Sequence, residues 1–250
     1  LVLQFGLSGM QLIYGILTAI SAIVFLVVVR EKPPTPASPA AELERALMLD
    51  GLRQILRIRE FWYLAIVLFV GNGIFNGLST WVETIVRPRG LSISEAGDLG
   101  GAMLLGGVIG SIVMPALSDR LRKRKALMVV GFAIAIPGMI GAAFGASYFL
   151  LLASFFWLGL FTTGIAPVAY QYGAEVTYPV PEGTSNGLFA MAGQISVVFI
   201  FAMGWSNDVL KSFAPSLITL IVLMLIGVVL LALLKESPMM KVQTAIDSNS

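Results

Sequence analysis

Polar side chains recur along one apolar stretch in a spacing that suits solute binding better than bond-making. In NGIFNGLSTWVE, Asn72, Asn76, Ser79 with Thr80, and Glu83 stand at i, i+4, i+7/i+8 and i+11. On an α-helix that spacing puts all of them on one face. Amides and hydroxyls offer hydrogen bonds to a solute and a carboxylate offers attraction for a cation, but none of these groups is a nucleophile paired with a base. Ile74, Phe75, Leu78, Trp81 and Val82 form the other face, suited to lipid or to packed neighbours. The stripe lies inside an apolar run from Phe61 to Val86. A run of that length crosses a bilayer, and polar groups along it need somewhere wet to point. The spacing therefore predicts a water-filled solute path, with Asn72, Asn76 and Thr80 as candidate ligands. Glu83 also lies one turn from Arg87, and pairing at the interface is the plainer reading of it.

Two further groups of residues carry chemistry. The run 148–171 holds Trp157, Thr162, Thr163, Gly164, Pro167, Tyr170 and Gln171. Gly and Pro loosen the hydrogen-bond ladder of a membrane helix and often mark a bend beside a cavity, which makes Thr163 a candidate ligand. The turn PALSDRLRKRK sets Asp119 among Arg120, Arg122, Lys123, Arg124 and Lys125, while the segment QYGAEVTYPVPEGTSNG contains Glu175 and Glu182 and no base. Acidic groups on a basic side predict a charge latch of Asp119, Arg120, Arg124, Glu175 and Glu182, closed in one access state and open in the other. The bland alternative is a basic loop that only fixes topology.

The elements that must position these residues follow from composition. The 250 residues are 57% hydrophobic and only 12% charged, with a mean hydropathy of +0.90. Soluble domains carry about 25% charged residues, so the composition predicts an all-α polytopic membrane protein. The chain has no Cys and no His, which excludes thiol or imidazole catalysis, thiolate metal sites and disulfides. No cofactor, metal or nucleic-acid partner is called for. Spans are predicted at 5–29, 61–86, 99–118, 126–146, 148–171, 187–206 and 213–234.

The grouping of these seven is uneven. One span (1–29) is followed by a polar segment, 30–60, and then six spans arrive with short connections over 61–234, before a tail at 235–250. The segment opens with EKPPTPASP, a Pro-rich linker. It continues with AELERALMLDGLRQILRIRE, read as an amphipathic surface helix or, equally, a solvated connector. Gly97, Gly101, Gly106 and Gly110 form two small-xxx-small pairs, predicting close helix packing. If 30–60 is cytoplasmic, only Arg87, Arg89 and Lys211 of the 16 Lys and Arg fall outside. The positive-inside rule then places the C-terminus and tail in the cytoplasm.

Asp119, Arg120, Lys123 and Arg124 match the signature loop of the major facilitator superfamily, Gly-x-x-x-Asp-Arg-x-Gly-Arg-Arg, with Pro115 and Arg122 in place of its two glycines. The sequence resembles the weaker copy of that signature in the second half of such transporters. Within the superfamily, Glu175, Thr177, Tyr178, Pro179, Glu182, Gly183, Thr184, Ser185, Gly187 and Leu188 resemble the E-x-T-Y-P-x-x-E-G-T-S-x-G-L run of the feline leukaemia virus subgroup C receptor family. That family is associated with choline and, in older assignments, haem transport.

The resemblance places Gln194 where the family has a substrate-contacting Gln, and Asn76 where it has an aromatic against the cationic head group. The latter departure leaves Phe75, Trp81 or a residue elsewhere to supply a ring. From the residues alone, Gly183, Gly187, Ala190 and Gln194 share a helical face. An amide on such a face suits either a solute or a neighbouring helix.

Together these features imply the second six-helix bundle of a major facilitator transporter, preceded by the last span of the first bundle. The first bundle's remaining helices are expected to be missing from this piece, and the complete protein is expected to be a monomer in the plasma (inner) membrane. Its expected partners are a small-molecule substrate and the lipid bilayer. No His or mid-span carboxylate suggests a proton carrier in these spans, which favours facilitated diffusion. A proton-coupled exporter of drugs or metabolites is the alternative, and a non-transporting sensor a remote one. An enzyme is not expected.

Overall fold

The computed structural model describes residues 2–28 and 48–237. The Pro-rich linker and most of the preceding half of the predicted amphipathic stretch lie outside the described residues, as does the tail beyond Ser237. Every described element is helical. Among the described residues, seven helices, one of them interrupted, are long and apolar enough to cross a membrane.

The chain divides into two units, 1–46 and 47–250. The first contains α1 (Val2–Val28), interrupted at Gly6, where φ of 67° suits a residue without a Cβ. The second begins with α2 (Met48–Ile55), which is amphipathic. Ile55 of α2 is fully buried, and a Cβ on Gly51 would lie 2.9 Å from Val180 Cγ1. The short helix is thus packed against the bundle by its apolar side.

Six spans then alternate in direction: α3 (Arg59–Val86), α4 (Ile93–Leu121), α5 (Arg124–Phe144), α6 (Tyr148–Thr177), α7 (Glu182–Ile195) with α8 (Val198–Leu210), and α9 (Ala214–Leu233). We call the end holding the α4–α5 turn the basic end and the other the far end. Ser92 caps α4 in a reciprocal capping box with Glu95, and Ser147 caps α6. Several helices run past the predicted spans because their last turns are polar. α6 continues to Thr177 and α7 starts at Glu182, so the predicted acidic loop is mostly helix. An apolarity criterion does not register such turns, whose backbone bonds are still satisfied by the helix.

The closest packing joins α4 to α6. A Cβ on Gly106 would lie 2.1 Å from Phe156 O, one on Gly110 2.0 Å from Leu160 O, and one on Gly159 2.0 Å from Met103 O. These backbones touch, as packing between helices in lipid requires. Gly97 and Gly101 do not take part, because nothing stands within 4 Å of either. Only the second of the two predicted glycine pairs is a helix contact.

At the far end Arg89 holds two connections together. Its Nη1 donates to Ala142 O and Gly145 O, both at 3.0 Å, and its Nη2 donates to Ala143 O at 2.6 Å. A guanidinium at the C-terminus of α5 satisfies carbonyls the helix leaves open and suits its dipole.

Candidate functional site

The polar stripe on α3 is divided among four surroundings. Asn72 lines a cavity of about 170 Å³ between α3, α5, α6 and α9, shared with Leu68, Phe75, Phe132, Thr162 and Thr163. Its Nδ2 donates to Leu68 O at 2.9 Å, leaving one N–H and the carbonyl oxygen. Gly193 admits the amide, since a Cβ there would lie 3.0 Å from Asn72 Nδ2. Asn76 instead donates to Ser196 Oγ at 3.2 Å. Ser79 and Thr80 are exposed and do not line the cavity. Glu83 accepts from Arg87 Nε at 2.8 Å and pairs with its guanidinium.

Thr163 joins Asn72 at the cavity from α6. Its methyl and hydroxyl lie against Gly107, where a Cβ would be 3.1 Å from Thr163 Cβ. Pro167 lies within α6, which stays continuous through it. Having no N–H, Pro167 leaves the Thr163 carbonyl without its usual helical donor. Among the described residues, no ionisable side chain lines the cavity. The arrangement sets the Asn72 amide and the ring of Phe75 beside Thr163, groups that can hold a small solute. A larger hollow of about 610 Å³ between α4 and α6 is less suited. Its Asp98 and Tyr148 bond to each other at 3.0 Å.

Gln194 is not brought to this cavity. It shares an exposed face with Gly183, Gly187 and Ala190, turned from the side of α7 on which Gly193 meets Asn72.

At the basic end the ionic cluster is built around Arg124. Its Nη2 lies 2.8 Å from Glu175 Oε1 and its Nε donates to Glu175 Oε2 at 3.0 Å, a two-point pair. Asp119 Oδ1 lies 3.3 Å from Nη1. The Arg124 and Glu175 side chains are only 8% and 7% exposed, against 67% for Asp119. Arg120 and Glu182, expected in the same cluster, are exposed and outside it. Arg120 lies on the outer side of the last turn of α4. Glu182 opens α7, where the helix dipole favours a carboxylate.

Sequence reasoning missed the other half of this cluster. Ser237, fully buried, donates to Glu175 Oε2, and Gln171 Nε2 donates to Glu175 Oε1 at 3.3 Å. Glu236 Oε1 accepts from the Lys125 backbone N–H at 3.1 Å, so a residue beyond α9 caps α5. Tyr172 donates its hydroxyl to Lys235 O at 2.7 Å. The run KES after an apolar helix carried no local signal of these contacts. Its partners are more than 60 positions away in the chain for Tyr172 and Glu175 (|i−j| of 63 and 62).

Comparison with known proteins places this geometry. The family model of the Major Facilitator Superfamily matches the chain over residues 1–200 and again over 83–248. An uncharacterized protein of Archaeoglobus fulgidus is 33% identical over 210 residues, 81% of this chain and 93% of that protein. Solute carrier family 49 member A3 of Danio rerio is 32% identical over 192 residues, 74% of this chain and 40% of that protein. The choline/ethanolamine transporter FLVCR2 of Homo sapiens is 27% identical over 245 residues, 93% of this chain and 46% of that protein. The chain therefore spans less than half the length of these two transport-family relatives. Among solved structures, the Escherichia coli fucose:proton symporter FucP superposes with a TM-score of 0.69 at 15% identity, over 90% of this chain and 55% of that one. The inward-open xylose transporter XylE gives 0.55 at 21% identity, over 76% of this chain and 50% of that one.

Proposed function

This chain belongs to the major facilitator superfamily, and on that premise we propose that it moves a small organic cation of the choline or ethanolamine type by facilitated diffusion. The observation that carries the reading is the cavity lined by Asn72, Phe75 and Thr163 with no ionisable group. The ring of Phe75 suits a quaternary or primary ammonium, and the amide and hydroxyl suit the alcohol at its other end. A volume of about 170 Å³ is enough for an amino alcohol. The likeness to the choline/ethanolamine transporter FLVCR2 supports the same solute class.

In this reading α3 to α9 form the second bundle, α1 is the last span of the first, and the basic end faces the cytoplasm of an inner or plasma membrane. Thr80 and Gln194, on exposed faces, line the path toward the first bundle, and the protein works as a monomer. Alternating access comes from rocking of the two bundles about the midplane. The pair of Arg124 with Glu175, flanked by Asp119, latches the cytoplasmic side in one state.

Labelled choline and ethanolamine uptake into proteoliposomes, with and without a pH gradient, tests the proposal. Saturable uptake indifferent to the gradient is expected. Phe75→Leu should raise KM for choline about 5- to 30-fold, the worth of roughly 1–2 kcal/mol of cation–π attraction. Absence of uptake by folded protein would overturn the solute assignment, and uptake that follows the proton gradient would overturn the facilitative mechanism.

A further inference from the structure

The fifth span of the bundle carries a tightened turn that begins just after Gly193. α7 and α8 together make one span from Glu182 to Leu210, interrupted at Ser196 and Val197. Around the break the backbone bonds close over three residues instead of four. Ser196 N donates to Gly193 O and Val197 N to Gln194 O, both at 3.2 Å, while Phe199 N reaches Ser196 O at 2.9 Å and Ile200 N reaches Val197 O at 3.0 Å. The residues from Gln194 to Phe199 include neither Gly nor Pro. A side chain working into the ladder is one source of such an interruption. A short tightened turn inside a longer helix often marks a hinge.

The side chains at this turn belong to α3. Asn76 donates to the hydroxyl of Ser196, which is fully buried. One turn further, Trp81 Nε1 donates to Ile200 O at 2.9 Å. Between and beside these bonds, large groups seat against glycines. A Cβ on Gly73 would lie 2.5 Å from the Phe199 ring, one on Gly77 2.6 Å from Met203 Sδ, and one on Gly204 2.8 Å from the Trp81 ring. Sliding α3 along the span would drive each of these groups into backbone. β-Branched Ile195, Val197 and Val198 further lower the helix preference at the turn.

We propose that Ser196–Val197 is a hinge whose angle is set from α3 by Asn76 and Trp81. These two and Ser196 are positioning residues for transport: they fix the direction in which the solute-path face of α7, Gln194 included, is presented. The functional half of this proposal rests on the transport reading above; the hinge itself does not. Asn76, which stands in the polar stripe, acts through Ser196 and not on the solute.

The test uses the intact transporter in proteoliposomes, with spin labels on cysteines introduced at Gly183 and Leu233, both exposed. α7 is a lever of about 20 Å at 1.5 Å per residue, so a change of about 15° moves its end by about 5 Å. Ser196→Ala and Trp81→Phe should each shift or broaden the label distance on that scale, and Ser196→Thr, which keeps the hydroxyl, should restore it. In choline uptake, Asn76→Ala and Ser196→Ala should lower kcat alike with KM unchanged, and the double variant should be no worse than either. An unmoved distance in Ser196→Ala and Trp81→Phe overturns the hinge. A KM rise confined to Asn76→Ala, or a moved distance with unchanged kcat, overturns the positioning role. Absence of choline uptake in the parent refutes the solute assignment, while the distances still decide the hinge.

Discussion

Glu175→Gln removes one charge from the Arg124 cluster with almost no change of shape. The parent pair is two-point, at 2.8 and 3.0 Å, with both side chains more than nine-tenths buried. Taking away one partner of such a pair strands a buried charge, at a cost of about 3–5 kcal/mol. Asp119 remains 3.3 Å from the guanidinium, but it is 67% exposed, so solvent screens much of its attraction. The lower bound, about 3 kcal/mol, is therefore the working figure. If the pair closes in only one access state, that sum leaves the latched state and shifts the equilibrium about 100-fold.

This chain has no cysteine, so labels at Lys123→Cys and Gly183→Cys report the basic end once any cysteine elsewhere in the intact transporter is replaced. Glu175→Gln should move the distance distribution toward the unlatched state and change the uptake rate. Adding Arg124→Gln should recover stability, because no buried charge is then left unpaired. A lower Tm with unchanged distances and unchanged uptake would show that the pair persists in both states. The latch would then be refuted, and the pair would be structural.

Two further outcomes follow from packing and exposure. Gly106→Ala places a Cβ 2.1 Å from Phe156 O and should destabilise by about 1–3 kcal/mol or more, whereas Gly97→Ala, with nothing within 4 Å, should not destabilise and should gain up to about 1 kcal/mol from helix propensity; thermal unfolding in detergent compares them. Glu83→Gln breaks a pair whose Arg87 side chain is 68% exposed, worth at most about 1 kcal/mol, and should leave choline KM unchanged in the uptake assay.

The membrane character, the helical class and the order of six closely spaced spans were legible in the sequence. Each rests on local composition: an apolar run of span length has few other folds open to it in lipid. The signature around Asp119 was likewise local, and the superfamily it resembles is the one the chain belongs to. Periodicity also placed Asn72, Asn76, Thr80 and Glu83 on one face, but a face is not a partner. Which helix stands opposite each position is a long-range fact. Tertiary packing gave Asn72 to the cavity, Asn76 to Ser196 and Glu83 to Arg87, and left Thr80 exposed.

The same division holds for the glycines and the charges. Both glycine pairs on α4 have the spacing for close packing, yet only Gly106 and Gly110 meet the backbone of α6. Arg120 and Arg124 lie one turn apart in a run of bases, and only Arg124 reaches Glu175. The break at Ser196 and the cover of Ser237 on Glu175 had no local signal. Both involve side chains more than 60 positions distant in sequence, 120 for Asn76 and 62 for Glu175. Composition decides what a segment can be in a bilayer. Only the folded bundle decides which of its polar groups meet each other and which are left for a solute.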